Sequence, residues 1–241
     1  MISIVWQGDH RYDVYRSGQD IGCIAVSSNP YHNRHCYIKL GLDQYDPSFA
    51  GALFSLLRKE LGRPLQTMLC STEKMYSFLI AGGFQRKRRC YEIEVSSSEL
   101  AAPVRASMEI HTMQKGSVLY AACCELLYAY YSATHEAVSP LIAPPDVFFA
   151  NLPETVLCSL ADGKPVHYAF VEPGEGGYEI AYVGTGNLPG FSSFVQTLVF
   201  ELFCKCDLLT AECDDTDPAA MQLMNLFNVA VEESWDTYIL E

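Results

Sequence analysis

Residues Glu179 to Phe194 read EIAYVGTGNLPGFSSF. The stretch opens on a strand that ends near Val183, crosses a Gly/Asn/Pro loop, and enters an apolar, helix-periodic run near Gly190. The first turn of such a helix leaves N–H groups unpaired, and these form an anion site that glycine lets a ligand approach closely. The stretch therefore fits a phosphate-bearing ligand at Gly190, Phe191, Ser192 and Ser193. An ordinary strand-to-helix turn fits it as well. Gly184, Gly186 and Gly190 also imitate a dinucleotide-binding glycine loop. That alternative needs several strand–helix units after the loop, whereas one helix and two strands follow here.

Working outward, LLTAEC reads as a strand, DPAAMQLMNLF as a helix and WDTYIL as a strand, while DGKPVHYAFV upstream is a turn and a strand. The first half runs through the same order. SGQDIGCIAVSS and HCYIKLGL are strands, and DPSFAGALFSLLRKELG is a helix with Phe49, Leu53, Leu56, Leu57 and Leu61 at helical spacing. PLQTMLC is a strand, STEKMYSFLIAGGF a capped helix and CYEIEV a strand. Pro47, Phe49 and Ile38 match Pro189, Phe191 and Ile180 at an offset of 142 residues, and Thr67 matches Thr210 at 143. An ordered series of this kind indicates two copies of one α/β unit. The polar segment SSSELAAPVRA puts the boundary near Ser97, giving domains 1–97 and 98–241. The second copy has an extra helical opening at 115–136, followed by SPLIAPPDVFF, which reads as an extended, proline-broken loop.

A hydrophobic share of 49% suffices for a sizeable core, and a net charge of −13 argues against nucleic acid, whose phosphates need a basic face. Ten cysteines contain no C-x-x-C pair, and most lie in apolar runs where a free thiol acts as a small buried hydrophobe. The opening MISIVWQGDHRYD has no signal-peptide pattern, and no apolar run is long enough to span a bilayer. A soluble, reduced, cytoplasmic protein without membrane or nucleic-acid partners is the expectation.

The ordered elements and the loop at Gly190 together resemble the GNAT superfamily (Gcn5-related N-acetyltransferases), here as a tandem pair of mixed-sheet α/β folds. The resemblance is truncated over residues 12–95 and nearly complete over 116–241. It implies acetyl-CoA as co-substrate, its pantetheine arm gripped between splayed central strands at Tyr182 and Val183, and its pyrophosphate at Gly190 to Ser193. Many members carry N-x-x-A-x-x-L-Y-x-x-x-G-F after the fifth strand. This chain offers Asp217, Ala220 and Leu223, then Met224 for the tyrosine, Asn228 for the glycine and Val229 for the phenylalanine. Asp217 is thereby implied in cofactor binding. The family tyrosine often protonates the departing thiolate, which methionine cannot do, and in the first half Leu79 holds its place. Glu179 matches the family's general base on the fourth strand, with Tyr37 as its first-half counterpart. Thiolate protonation falls to water or to a hydroxyl such as Tyr182. The first half has Asp46 and Pro47 at the phosphate position, one repelling an anion and the other lacking a donor. That half is expected to bind no CoA.

Two functions follow from the resemblance. One is an N-acetyltransferase acting on a small amine or a peptide amine, and the other is a non-catalytic CoA-binding or interaction protein with a degenerate fold. The remaining motifs are plainer. Arg86 to Arg89 (RKRR) reads as a solvated turn after a helix. The acids of ECDDTD suit helix capping better than a metal site. His167 reads as a core histidine. Tyr120, Tyr128, Tyr130 and Tyr131 either wall an acceptor pocket or pack their helix.

Overall fold

The computed structural model describes residues 1–71, 75–230 and 232–241. The chain divides into two compact units, residues 1–89 with 137–142 and 233–241, and residues 90–136 with 143–232.

The first unit opens with a hairpin of β1 (Ile2–Gly8) and β2 (Arg11–Arg16). Its turn holds Asp9 and His10 at φ 47° and 58°, the left-handed pair that a two-residue hairpin turn requires. β3 (Gln19–Ser27) and β4 (Cys36–Leu42) continue the antiparallel meander. α1 (Pro47–Leu61) then starts where the Asp46 carboxylate accepts from the Ser48 N–H, and it ends at left-handed Gly62. This helix buries Phe49, Ala50, Leu53, Phe54 and Leu57 against the sheet. β5 (Leu65–Cys70) and α2 (Tyr76–Ala81) follow. α2 has Met75 at its N-cap with no side-chain cap bond, later than the start expected from STEKMYSFLIAGGF, of which residues 72–74 lie outside the described residues.

β6 (Gln85–Ser96) leaves the first unit at Arg89 and belongs to the second from Cys90. The second unit continues with β7 (His111–Gln114), α3 (Val118–His135), α4 (Pro145–Phe149) and β8 (Thr155–Ala161). After these come β9 (Lys164–Gly174), β10 (Gly177–Thr185), α5 (Phe191–Phe203), β11 (Leu208–Asp214) and α6 (Pro218–Met224). β12 (Trp235–Leu240) returns to the first unit. SPLIAPPDVFF is thus not extended throughout. Pro144 caps α4 and Pro145 fills its first position, where a proline's missing N–H costs nothing.

Strand order is β1-β2-β3-β4-β5-β12 in the first unit and β7-β8-β9-β10-β11-β6 in the second. β4 runs parallel to β5, and β10 runs parallel to β11. Their other neighbours are antiparallel. One parallel pair per unit is not the parallel sheet that the dinucleotide alternative needs. The fold is a mixed α/β fold with twelve strands among the described residues. The compact units also depart from the expected 1–97 and 98–241. The strand that closes each one comes from the far part of the sequence, β12 beside β5 and β6 beside β11.

The run Arg86–Arg89 is not a solvated turn. It lies in β6, and Arg86 Nη1 and Arg89 Nε each sit 3.2 Å from a carboxylate oxygen of Asp236 on β12. Asp236 is 2% exposed and also accepts from Ser234 Oγ at 2.9 Å. Burial works to raise its carboxyl, but the bonds from Ser234, Arg86 and Arg89 outweigh burial and hold it below the ordinary carboxylate value. A lowered folded-state value stabilises the fold above the unfolded carboxylate range, and that stabilisation is lost as pH falls through the folded value. Asp236→Asn should therefore cost about 1–3 kcal/mol at pH 7, with the difference from wild type vanishing in strong acid. Urea unfolding at the two pH values measures this. Equal stability at pH 7 would remove Asp236 from the account.

Candidate functional site

The start of α5 is organised from below by His167 and Thr185. His167 is 2% exposed, with Nδ1 2.7 Å from Thr185 Oγ1 and its ring packed on Phe191 and Phe194. Burial lowers its pKa and keeps it neutral near pH 7. Thr185 Oγ1 donates to the Asn187 carbonyl at 2.6 Å and accepts from the Asn187 N–H at 2.9 Å, which fixes the loop. Gly190 is the N-cap at φ 85°, and no side chain caps this helix. The Phe191 N–H goes to the Leu188 carbonyl and the Phe194 N–H to the Gly190 carbonyl. The N–H groups of Ser192 and Ser193 have no acceptor among the described residues. Ser192 is exposed and Ser193 half-buried, whereas the Phe191 side chain is in the core. Phe191 can offer a ligand its backbone only.

β10 opens toward the same place. Its parallel pairing with β11 runs from Gly177–Leu208 to Ile180–Ala211 and stops, although β10 extends to Thr185 and β11 to Asp214. Among the described residues the parallel register between β10 and β11 is not continued beyond Ile180, which leaves a gap between two central strands. A register shift between Ile180 and Tyr182 marks a bulge at Ala181. Ile180 and Val183 lie opposite Val171 and Ala169, all four in the core beneath α5. Glu179, Tyr182 and Gly184, opposite Glu172, Phe170 and Tyr168, take the other face. The structure thus brings Glu179 and Tyr182 together on one face and sends the Val183 side chain to the opposite one. Only the Val183 backbone remains available to a ligand.

On that face Tyr182 is half-buried, with ring centroids 6.2 Å from Tyr131 and Phe148 and 6.5 Å from Phe170. Tyr131 stacks on His135 at 3.7 Å, and His135 Nε2 lies 3.7 Å from Asp214 Oδ2. The other tyrosines of α3 have different tasks. Tyr120 and Tyr128 donate to the Pro153 and Ala143 carbonyls at 2.7 and 2.8 Å, anchoring the helix. Of the four, Tyr131 is the one beside Tyr182.

Asp217 is the N-cap of α6, accepting from the Ala219 and Ala220 N–H groups. Its Oδ1 also accepts from the Tyr130 hydroxyl at 2.6 Å. Its carboxylate is therefore engaged inside the protein, and burial followed by the bond to Asp217 pushes the Tyr130 phenol up. Sequence reading missed Tyr168. Its hydroxyl is buried without a hydrogen-bond partner among the described residues, and a Cβ on Gly184 would collide with it. The apolar run VHYAFV gives no sign that one tyrosine faces α3 while its neighbours face α5. An orphaned hydroxyl opposes folding. Tyr168→Phe should raise stability by about 1 kcal/mol in urea unfolding, and a loss of similar size would reveal an unseen partner.

No family model matches the chain, and no curated protein matches its sequence. Among the described residues no helix is long and apolar enough to cross a membrane. Solved structures do share the fold. The chain aligns over 98% of its length with 82% of a GCN5-related N-acetyltransferase from Sphaerobacter thermophilus, at a TM-score of 0.56 and 10% identity. It aligns over 95% of its length with 61% of a protein of unknown function and probable N-acyltransferase from Enterococcus faecalis V583, at a TM-score of 0.54 and 10% identity. The chain thus spans less than two thirds of the Enterococcus protein. At such identity the likeness is one of fold, and over nearly its whole length this chain has the fold of GNAT acetyltransferases.

Proposed function

We propose that the chain is a tandem pair of GNAT-like units, one truncated, and that the second moves an acetyl group from acetyl-CoA to an amine. The observation that carries this reading is the gap between β10 and β11, which opens beside the unpaired N–H groups of Ser192 and Ser193. The gap suits a pantetheine arm, and the helix start suits a pyrophosphate. Glu179 takes the proton as the amine nitrogen attacks the thioester carbonyl, and Tyr182 or water returns a proton to the departing thiolate. Tyr131 and Phe148 give the acceptor an aromatic wall. In the first unit the Asp46 carboxylate already caps α1 and pairs with Arg16 at 2.9 Å, so an anion meets a negative charge there.

A non-catalytic CoA-binding protein is the second reading. It is favoured by Met224 in the tyrosine's place and by the engagement of Asp217 with its own helix and Tyr130. Thermal unfolding with acetyl-CoA tests binding, because a ligand at 100 times its Kd adds roughly 2.7 kcal/mol. CoA thiol release with a broad amine panel tests catalysis. Binding without release selects the second reading, and no binding removes both.

A further inference from the structure

The first unit contains a cleft that the acetyl-transfer reading does not use. It has a volume of about 590 Å³ and lies at the C-terminal end of α1, away from Asp46. That volume is in the range of small-molecule sites, roughly 300–1,000 Å³. Gly51, Ser55 and Lys59, one helical turn apart in sequence, line the cleft together with Arg58, Arg63 and Leu240. Among the described residues none of the three cations belongs to an ion pair. Arg63 makes one long bond, 3.4 Å, to the His35 carbonyl.

Basic residues in a last helical turn commonly offset the helix dipole, but that dipole amounts to roughly half a charge. Three cations around one cleft exceed it several-fold, in a chain whose net charge is −13. The small side chains at Gly51 and Ser55 leave room for a ligand along the helix. Guanidinium groups match phosphate oxygens in pairs of hydrogen bonds, and a lysine adds a point charge. We propose that this cleft binds a phosphorylated small molecule of nucleotide size, with its phosphates on Arg58, Lys59 and Arg63 and its remainder along Gly51 and Ser55 against Leu240. The strong overall negative charge makes a nucleic-acid strand a poor occupant.

Calorimetric titration of the full chain with ADP, inorganic pyrophosphate and citrate tests this. ADP should bind wild type and weaken at least about tenfold in the triple variant Arg58→Gln/Lys59→Gln/Arg63→Gln, since each charge-assisted contact is worth a large part of a decade. Lys59→Gln alone, at an exposed helix position, should weaken ADP about threefold and stands in if the triple variant fails to fold. Because the start of α5 is itself read as a pyrophosphate site, each titration is made in the Gly190→Asp background as well, where ADP binding that persists and is lost with the three cations belongs to the cleft. Citrate binding as tightly as ADP would overturn the phosphate assignment. Absence of any ADP or pyrophosphate heat at about 5 mM, or ADP binding that survives the triple variant in the Gly190→Asp background, would overturn the site.

Discussion

With Gly190 replaced by aspartate, acetyl-CoA is expected to lose at least about a hundredfold in affinity, or roughly 2.7 kcal/mol. Three effects combine. Gly190 sits at φ 85°, where a side chain is strained, and its Cβ would lie 3.3 Å from His167 Nε2. The new carboxylate would also stand beside the Ser192 and Ser193 N–H groups and compete for them as an internal cap, much as Asp46 does on α1. Gly190→Ala keeps the strain without the charge and should fall between the two. Pro47→Asp, at the start of α1 in the first unit, should leave affinity unaltered. Equal losses from Gly190→Asp and Pro47→Asp would show that the two units do not differ in this way. The measurement is calorimetric titration with acetyl-CoA, with unfolding curves confirming that each variant is folded.

Glu179→Gln should lower turnover by roughly 10²–10⁴, the usual contribution of a positioned base, while acetyl-CoA affinity stays within about twofold. The amide keeps the side chain's size and removes its basicity. Affinity holds because Glu179 lies on the sheet face shared with Tyr182, opposite the face that packs beneath α5. Turnover should recover in part at high pH, where more of the amine is free. A parallel fall in kcat and affinity would mean that the carboxylate holds the ligand rather than the proton. Unchanged turnover would remove Glu179 from the mechanism.

Much of the framework was legible because it is written in local chemistry. Asp46-Pro47 and Gly62 announce the two ends of α1, and Asp162-Gly163 announces the turn into β9. Asp217-Pro218 likewise signals a helix start, and the structure places Asp217 as the cap. The hairpin of β1 and β2 escaped because its turn uses Asp9 and His10 in place of the usual glycine or asparagine. β8 escaped because TVLCSLA, buried along most of its length, has no alternation to read. At the site, Glu179 and Tyr182 are three residues apart, and in a regular strand they would face opposite ways. The bulge at Ala181 puts them on one face, and a bulge leaves no mark in this sequence. Asp236 was equally hidden. One acid in WDTYIL looks ordinary until Arg86 and Arg89, about 150 residues earlier, meet it across the sheet.

The exchange of closing strands has a consequence for how the molecule is made. β5 emerges from the ribosome with its antiparallel neighbour β12 still more than half the chain away in sequence. Until residues 233–241 have been synthesised, β5 keeps an open edge and Arg86 and Arg89 have no Asp236 to meet. An open strand edge is a template for wrong pairing. The second unit has no such delay, because β6 is already waiting when β11 arrives. The half that is translated first is therefore the half that finishes last, and slow or interrupted synthesis exposes it rather than the half bearing Gly190.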